Sequence, residues 1–484
     1  MKELLIDLPA VSLRPVLPAL VVTVTAALVL VLDLLPPRDR KSHLPVVALA
    51  GIVAALLLAI WLWGEDSAGF RGMVILDSYA LFFHLVIGYA AGLVILLSMD
   101  YLERQGLESG EYYALVLFST VGMMLMASAG DLITIFLSLE LMSLSLYVLT
   151  GYFRSRLISG EASMKYFLLG AFASSFLLYG VALIYGATQT TNLDRLAAVT
   201  GPRDLLLVVG FGLVLVGLGF KISSVPFHMW APDAYEGAPT SVAVLIATGS
   251  KAAAFAALVR LLFTAFRAAQ PDWALLLWGG AVLTMTVGNV VALAQSNLKR
   301  MLAYSSVAHV GYMLVGVVAG GSTGTGAVLF YLLVYTFMTA GAFGVILLLE
   351  RGGREAVDLG DYAGLALRHP VMALALSGFL LSLVGIPPLA GFVGKFYLFG
   401  AAVRSGYVWL AVIGVLNSAV AAYYYLRLIV YMYMREPEAP ITSLAPSFAG
   451  GLALAVALIG TVVLGVMPAP FIDLAQAAVI PLLR

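Results

Sequence analysis

Apolar runs long enough to span a bilayer follow one another along almost the whole chain, separated by short stretches rich in Gly, Pro and charge. A hydrocarbon core about 30 Å thick needs about 20 residues of helix, because each backbone amide left unpaired in lipid costs several kcal/mol. The pattern therefore predicts about 14 membrane-spanning helices. They fall at Val16–Leu35, Pro45–Trp63, Ile75–Met99, Tyr113–Ala129, Leu132–Tyr152, Lys165–Ala187 and Leu205–Phe227, numbered helices 1 to 7. Helices 8 to 14 are predicted at Thr240–Phe266, Trp273–Ala294, Met301–Ala319, Thr325–Leu349, Pro370–Val403, Tyr407–Met434 and Pro446–Met467. No linker or water-soluble domain interrupts them. The expected fold is all-α and polytopic, a single membrane domain over residues 1–484.

Composition agrees. Of 484 residues, 62% are apolar and only 11% charged, against about 25% charged in soluble domains. Net charge is zero, so neither nucleic acid nor an anionic surface is indicated as a partner. With no cysteine, the chain can hold no thiolate zinc site or cysteine-ligated iron–sulfur cluster. No metal site is expected. The first residues, MKELLIDLPAVSLRPVLPAL, lack a small-residue cleavage site and predict no signal peptide. Loops after odd-numbered helices hold 12 Lys and Arg, against 8 in the termini and remaining loops, which favours both termini outside.

The placement of cations is more informative than their number. Only seven of the basic residues are lysines, and four of these, Lys165, Lys221, Lys251 and Lys395, lie in or at the edge of apolar spans. Loops almost always carry Arg instead. Arginine does not release its proton in proteins, whereas a desolvated lysine can. Charge near the bilayer centre costs at least about 2.5–3.5 kcal/mol, so each lysine needs a partner or a wet cavity. Glu140, the acid in the middle of helix 5, is the candidate partner. It either biases a lysine's proton affinity or makes a structural ion pair. Lys165, at the start of predicted helix 6, could equally snorkel to the interface.

Two helices carry breaks. Lys221 precedes Ser-Ser and Pro226, and Pro387 and Pro388 precede Lys395. Proline removes an amide donor and frees carbonyls, which survive at membrane depth only where protein or a polar cavity surrounds them. Similar Leu-Val-Gly segments at 215–217 and 383–385 precede the two breaks, five helices apart. An odd offset reverses direction, so helices 4–8 (113–266) and 9–13 (273–434) would form inverted five-helix repeats with discontinuous helices 7 and 12, flanked by helices 1–3 (1–112) and by 446–484. His228, just past Pro226, either relays protons toward Lys251 or caps the broken helix. His309, with Ser305 and Ser306, is a weaker relay candidate; His84 reads as a hydrogen-bonded packing residue, and MWAPDAYEGAP, with Asp233 and Glu236, as an ordered turn.

The stretches GFKISSVPFHMWAPDAYEGAPTSVAVLIATGSK, LSLELMSLSLYVLTGY, NLKRMLAYSSVAHVGYM and GIPPLAGFVGKFYLF closely resemble the antiporter-like subunits of respiratory complex I. The resemblance spans nearly the whole chain and is strongest to subunit N of the bacterial NADH-quinone oxidoreductase. Lysine rather than glutamate in helix 12 argues against subunit M, and the lack of a long amphipathic extension against subunit L. The resemblance implies a proton path through Glu140, Lys165, Lys221, His228, Lys251 and Lys395. It also implies that quinone reduction elsewhere in the complex drives transfer by separating Lys221 from Glu140. Flavin, iron–sulfur clusters and quinone would belong to partner subunits, namely other membrane subunits of a complex in the bacterial plasma membrane. Alternatives are a subunit of a multisubunit sodium/proton antiporter or of a membrane-bound hydrogenase-type complex, and a purely structural scaffold.

Overall fold

A computed structural model describes residues 12–35, 41–107, 109–199, 204–351, 354–436, 442–443 and 448–483. The first eleven residues, in which no leader was read, and most of the PPRDRK loop lie outside this set. In chain order the helices are α1 (Leu17–Asp33), α2 (His43–Trp61), α3 (Ser78–Arg104), α4 (Gly110–Ala127), α5 (Leu132–Thr150), α6 (Leu157–Thr188) and α7 (Leu193–Val199). There follow α8 (Leu205–Ile222), α9 (Trp230–Gly237), α10 (Thr240–Leu245), α11 (Lys251–Phe263), α12 (Gln270–Leu293), α13 (Leu298–Ala319) and α14 (Gly321–Leu347). The last are α15 (Leu365–Arg368), α16 (Pro370–Val384), α17 (Ala390–Arg404), α18 (Val408–Met434), α19 (Phe448–Val466) and α20 (Ala469–Leu483). Short strands β1 (Ser67–Gly69) and β2 (Val74–Leu76) form a hairpin, and β3 (Leu349–Arg351) pairs with β4 (Arg354–Glu355) and β5 (Thr442–Ser443).

Thirteen helical segments among the described residues are long and apolar enough to cross a membrane. The broken pair α16–α17 supplies the remaining predicted crossing. Several helices start where a short polar side chain precedes the apolar run and accepts from the first amides. Asp77 accepts from Ala80, Asp131 from Ile133, Asp204 from Leu206, and Asn297 from both Lys299 and Arg300. The segment α10–α11 is buried all round, with α13, α14 and α3 nearly so, while α1 and α12 lie at the rim. Charge on the inner helices is therefore screened from lipid by other protein.

Both proline-containing segments are true interruptions. Predicted helix 7 stops at Ile222, where Ser223 adopts a left-handed conformation (φ 65°), and helix resumes only at Trp230. Predicted helix 12 stops at Val384, with Gly385 at φ 95°, and resumes at Ala390. Each end closes in the same manner. The Ser224 amide bonds Gly219 and the Ile386 amide bonds Leu381, a six-to-one link that satisfies a carbonyl of the last turn. Glycine adopts this conformation freely, whereas serine pays about 1–2 kcal/mol at Ser223.

Two expectations are corrected. Predicted helix 6 begins at Leu157, so Lys165 stands two turns inside it; the mixed LISGEASM stretch is helix that continues beyond the apolar run. The expected turn at 230–237 is the helix α9, since Pro232 sits in the first turn, where its missing amide has no intrahelical role. Helix 12, expected to be discontinuous, is two helices of 15 residues each, so only the other two differ from expectation. The hairpin β1–β2 and α20 were not foreseen, because both are shorter than a membrane span.

At the end of the bundle where α3 starts, Arg260 and Asp77 are fully buried and joined by two nitrogen–oxygen bonds of 2.8 and 2.9 Å. The Tyr79 ring lies 4.8 Å from the guanidinium, and His84 bonds the Met124 carbonyl and the Ser128 hydroxyl nearby, as a packing histidine. Truncating one member of a buried pair strands the other. Asp77→Ala is expected to cost about 3–5 kcal/mol, read as a lower thermal midpoint or lost assembly, while an unchanged midpoint would show that water compensates.

Candidate functional site

The break after Ile222 leaves Lys221 on the last turn of α8, 1% exposed. Its amine donates to the Ser143 hydroxyl at 2.9 Å and to the Tyr166 hydroxyl at 3.0 Å, with the Tyr166 ring centroid 5.2 Å away. The expected direct pair with Glu140 is not made here. Glu140 lies half-buried on the outward stripe of α5 with Leu137, Leu144 and Val148, and its Oε1 has no hydrogen-bond partner among the described residues. Ser143 lies one turn from Glu140 on α5, so the lysine reaches the helix that carries the carboxylate without pairing with it, and the Glu140 Oε1 is left buried.

The orphan amides of the break find partners on other elements. The Val225 amide donates to Thr284 of α12 at 3.1 Å, and the Trp230 indole donates to the Phe220 carbonyl at 2.9 Å. At the second break the lysine itself does this work: Lys395 donates to the Val384 carbonyl at 3.0 Å while lying 4.7 Å from the Tyr312 ring centroid. Gly391 donates to the Ser382 hydroxyl at 3.0 Å. Lys395 is thus a component of its break as well as a charge, whereas Lys221 takes its partners from α5 and α6.

Between the two breaks lies a hydrogen-bonded interior. Lys251 follows a π-helical turn at Ile246–Ser250, a distortion frequent at functional positions. It donates to the Ser306 carbonyl at 3.1 Å and to the Ser306 hydroxyl. That hydroxyl accepts from Tyr335 at 2.7 Å and meets Tyr235 at 3.3 Å. One turn along α13, His309 bonds the Tyr331 hydroxyl at 2.7 Å and the Tyr425 hydroxyl at 3.3 Å, and Tyr425 also bonds Ser305. Asn289 donates to Tyr312 at 2.9 Å and accepts from Tyr424 at 3.0 Å, closing the line beneath Lys395. Lys251, Ser305, Ser306, His309 and Lys395 therefore border one polar region, whose separate hydrogen-bonded groups meet where the His309 ring lies 5.2 Å from Tyr335 and 5.5 Å from Tyr312. His228 stands apart, half-buried, its ring 6.5 Å from that of Tyr304 and its Nδ1 unpartnered.

Lys165 is not in this interior. It is largely exposed and pairs with Glu161 at 2.7 Å and Asp233 at 2.8 Å. Asp233 and Glu236 of α9 both pair with Arg300 at 2.7 Å, so the short helix after the break is fastened to the first turn of α13. Lys299 beside it is 3% exposed, donating to the Ala238 carbonyl at 2.7 Å and meeting Glu355 at 3.4 Å. Glu355 also accepts from Thr240 at 2.9 Å and from Tyr101. Burial alone would push the Glu355 carboxyl up, yet Lys299, aided by the Tyr101 and Thr240 hydroxyls, holds it below the usual carboxylate range.

Sequence reasoning missed Lys299, Glu355, Thr284, Asn289 and the tyrosines. Asn289 and Asn417, which approach to 3.3 Å, were the detectable signal, since a lone amide in an apolar span needs a partner. Tyrosines gave none, because an amphipathic ring fits a packed interior and an interface equally well.

The chain is similar to known proteins over nearly its whole length. Residues 129–421 match the family described as NADH:quinone oxidoreductase/Mrp antiporter, TM. The chain belongs to this family. Within it, the chain is 50% identical over 473 residues to NADH-quinone oxidoreductase subunit N of Trichlorobacter lovleyi, covering 97% of each chain. It is 45% identical over 487 residues to the Chloroflexus aggregans subunit N, covering 99% of each. Among solved structures, a chain of Thermus thermophilus respiratory complex I with bound aureothin superimposes at TM-score 0.81 with 37% identity, over 95% of this chain and 99% of that one. A chain of the Mrp complex from Dietzia shares the fold at TM-score 0.85 with 24% identity, over 98% of each. This family member is thus an antiporter-like, multi-pass membrane subunit.

Two outcomes are expected of the site. Thr284→Val leaves the Val225 amide without an acceptor, at about 1–3 kcal/mol, and should lower the thermal midpoint, which Thr284→Ser restores. Because Glu355 titrates below its unfolded value, its contribution is complete above the usual carboxylate range and is lost as pH falls through the folded value. Glu355→Gln should flatten the acid side of a stability–pH profile; an unaltered profile would mean that another carboxylate governs it.

Proposed function

We propose that this chain moves protons across the membrane as the subunit N of an NADH-quinone oxidoreductase, through Glu140, Lys221, Lys251, His309 and Lys395. The observation that carries the reading is the polar interior between Lys251 and Lys395, in which three hydrogen-bonded groups, at Ser306, His309 and Tyr312, meet through ring contacts, with a lysine at each helix break. Hydroxyls and imidazole both accept and donate, so a proton can leave one lysine while another is taken up. Ordered water completes the steps between Lys221 and Lys251, where Tyr166 and Tyr235 face each other across Trp230. His228 serves as an access point beside the first break, and Lys165, with Asp233 and Arg300, sets the position of α9.

The arrangement here corresponds to the separated state of the Lys221–Glu140 switch. A carboxylate on an otherwise apolar outward stripe is costly against lipid, so the α5 face that carries Glu140 is read as a contact with a neighbouring membrane subunit. Movement of that neighbour would bring Glu140 toward Lys221 or away from it, coupling the first repeat to chemistry elsewhere. Flavin, iron–sulfur clusters and quinone are assigned to partner subunits, the location to the bacterial plasma membrane, and both termini to its outer side. Identity of 50% to subunit N proteins favours this over a sodium/proton antiporter subunit.

In the assembled complex Lys221→Met is expected to abolish most proton uptake into inverted vesicles and to slow coupled NADH oxidation. Lys221→Arg should assemble normally and still fail to pump, since guanidinium keeps its proton. Normal pumping in both variants would take Lys221 out of the path, and sodium uptake in place of protons would favour the antiporter reading.

A further inference from the structure

Among the described residues, Lys221 and Lys251 each donate to two oxygens, whereas Lys395 donates to one, the Val384 carbonyl. The other contact of its ammonium group is the face of Tyr312, with the ring centroid 4.7 Å away. A ring face attracts a cation only while the cation stays over it, so the direction of this ring matters to the charge on Lys395. The backbone of α13 fixes one end of the ring axis. The other end is the Tyr312 hydroxyl, which accepts from the Asn289 amide of α12 at 2.9 Å. Edge-on contacts with His309 at 5.5 Å and Phe399 at 5.9 Å set the turn of the ring about that axis. We propose that Asn289 is a positioning residue for Lys395, holding the Tyr312 ring over the ammonium group and so setting how readily Lys395 takes up a proton. The inference rests on Lys395 being part of the proton path.

Asn289 is built for one orientation. It is fully buried, its oxygen accepts from Tyr424 at 3.0 Å, and its amide donates to the Asn417 oxygen at 3.3 Å as well as to Tyr312. An asparagine engaged at every polar position cannot turn its amide away from the hydroxyl. Amides at membrane depth also fasten helices to one another, but these helices are fastened without it. A Cβ added to Gly288 would meet the Ala308 amide at 2.6 Å, and one added to Gly311 the Met285 amide at 2.5 Å, so the backbones of α12 and α13 already touch. On α18, Asn417 donates to Thr286 at 3.2 Å and Arg427 to the Leu293 carbonyl at 3.2 Å, which tie that helix to α12. The donor to Tyr312 is what Asn289 adds.

The titratable side chains around Lys395 are His309 and Tyr312 of α13, Tyr331 of α14 against Gly394, and Tyr425 of α18, which bonds His309. The helices α16 and α19, also packed on α17, carry none. With no carboxylate bonded to Lys395, loosening the ring removes a main support of its charged form.

The test measures proton uptake into inverted vesicles by the assembled complex across a range of pH. Asn289→Leu should move the alkaline limb of the profile to lower pH by about one unit, a tenfold change in proton binding. Tyr312→Phe keeps the ring and removes the hydroxyl that Asn289 holds; it should move the limb the same way, and it decides the matter if Asn289→Leu does not assemble. Asn417→Leu breaks the contact between the two asparagines but spares the donor to Tyr312, so it should lower the thermal midpoint and leave the limb in place. An unmoved limb in Asn289→Leu overturns the proposal, and so does an equal shift in Asn417→Leu, which would make the amides helix fastenings only. Lys395→Met separates this result from the reading beneath it. Normal uptake in that variant removes Lys395 from the path and overturns both, whereas lost uptake there with an unmoved limb in Asn289→Leu overturns the positioning role alone.

Discussion

An ammonium group in hydrocarbon must be given partners, and nearly every unusual feature of this chain answers that requirement. Three interior lysines, Lys221, Lys251 and Lys395, are almost inaccessible to solvent, and each is bonded to oxygen. None has a carboxylate as its immediate partner in this arrangement. Neutral oxygens stabilise the charged form less than a carboxylate would, and they leave the amine able to give up its proton. Arg260, by contrast, sits against Asp77 in a two-bond fork that keeps both ions in place. Lys221, Lys251 and Lys395, on hydroxyl and carbonyl oxygens, thus differ from the interior ion pairs Arg260–Asp77 and Lys299–Glu355.

The breaks and the lysines solve each other's problem. A helix interrupted in a membrane exposes carbonyls and amides, and a buried lysine needs acceptors. At Lys395 the two needs meet in one bond to Val384. At Lys221 they are met separately, by Ser143 and Tyr166 for the amine and by Thr284 and Trp230 for the backbone. The two ends of the interior are therefore alike in backbone and different in partner. Helix 7 depends on neighbours from α5, α6 and α12, so a displacement of any of these reaches Lys221 directly.

A second set of ions surrounds the short helix α9. Lys165, Asp233, Arg300 and Glu236 tie it to α6 and α13, and Lys299 with Glu355 ties the following turn to α3 and α10. These contacts fasten the far half of helix 7, beyond the break at Ser223–Phe227, to the rest of the bundle.

Much of this was legible from residue order alone. Solvent sets helix length, so about twenty apolar residues must become a membrane span whatever they pack against; that made the spans, the two proline breaks and the isolated charges Lys221, Lys251 and Lys395 readable. Resemblance to the antiporter-like family, since borne out by identity over nearly the whole chain, could be read from four stretches of motif. Partner choice could not. Glu140 and Lys221 are opposite charges, yet the amine is bonded to Ser143 and Tyr166 and the carboxylate is left without it, a choice that packing decides. Lys299 lies at a helix start, where a lysine ordinarily reaches water, and only the folding of residues 354–356 over it makes it an interior ion. The spans follow from chemistry common to every residue in lipid, while the site follows from contacts between segments far apart in the chain, which only the tertiary structure brings together.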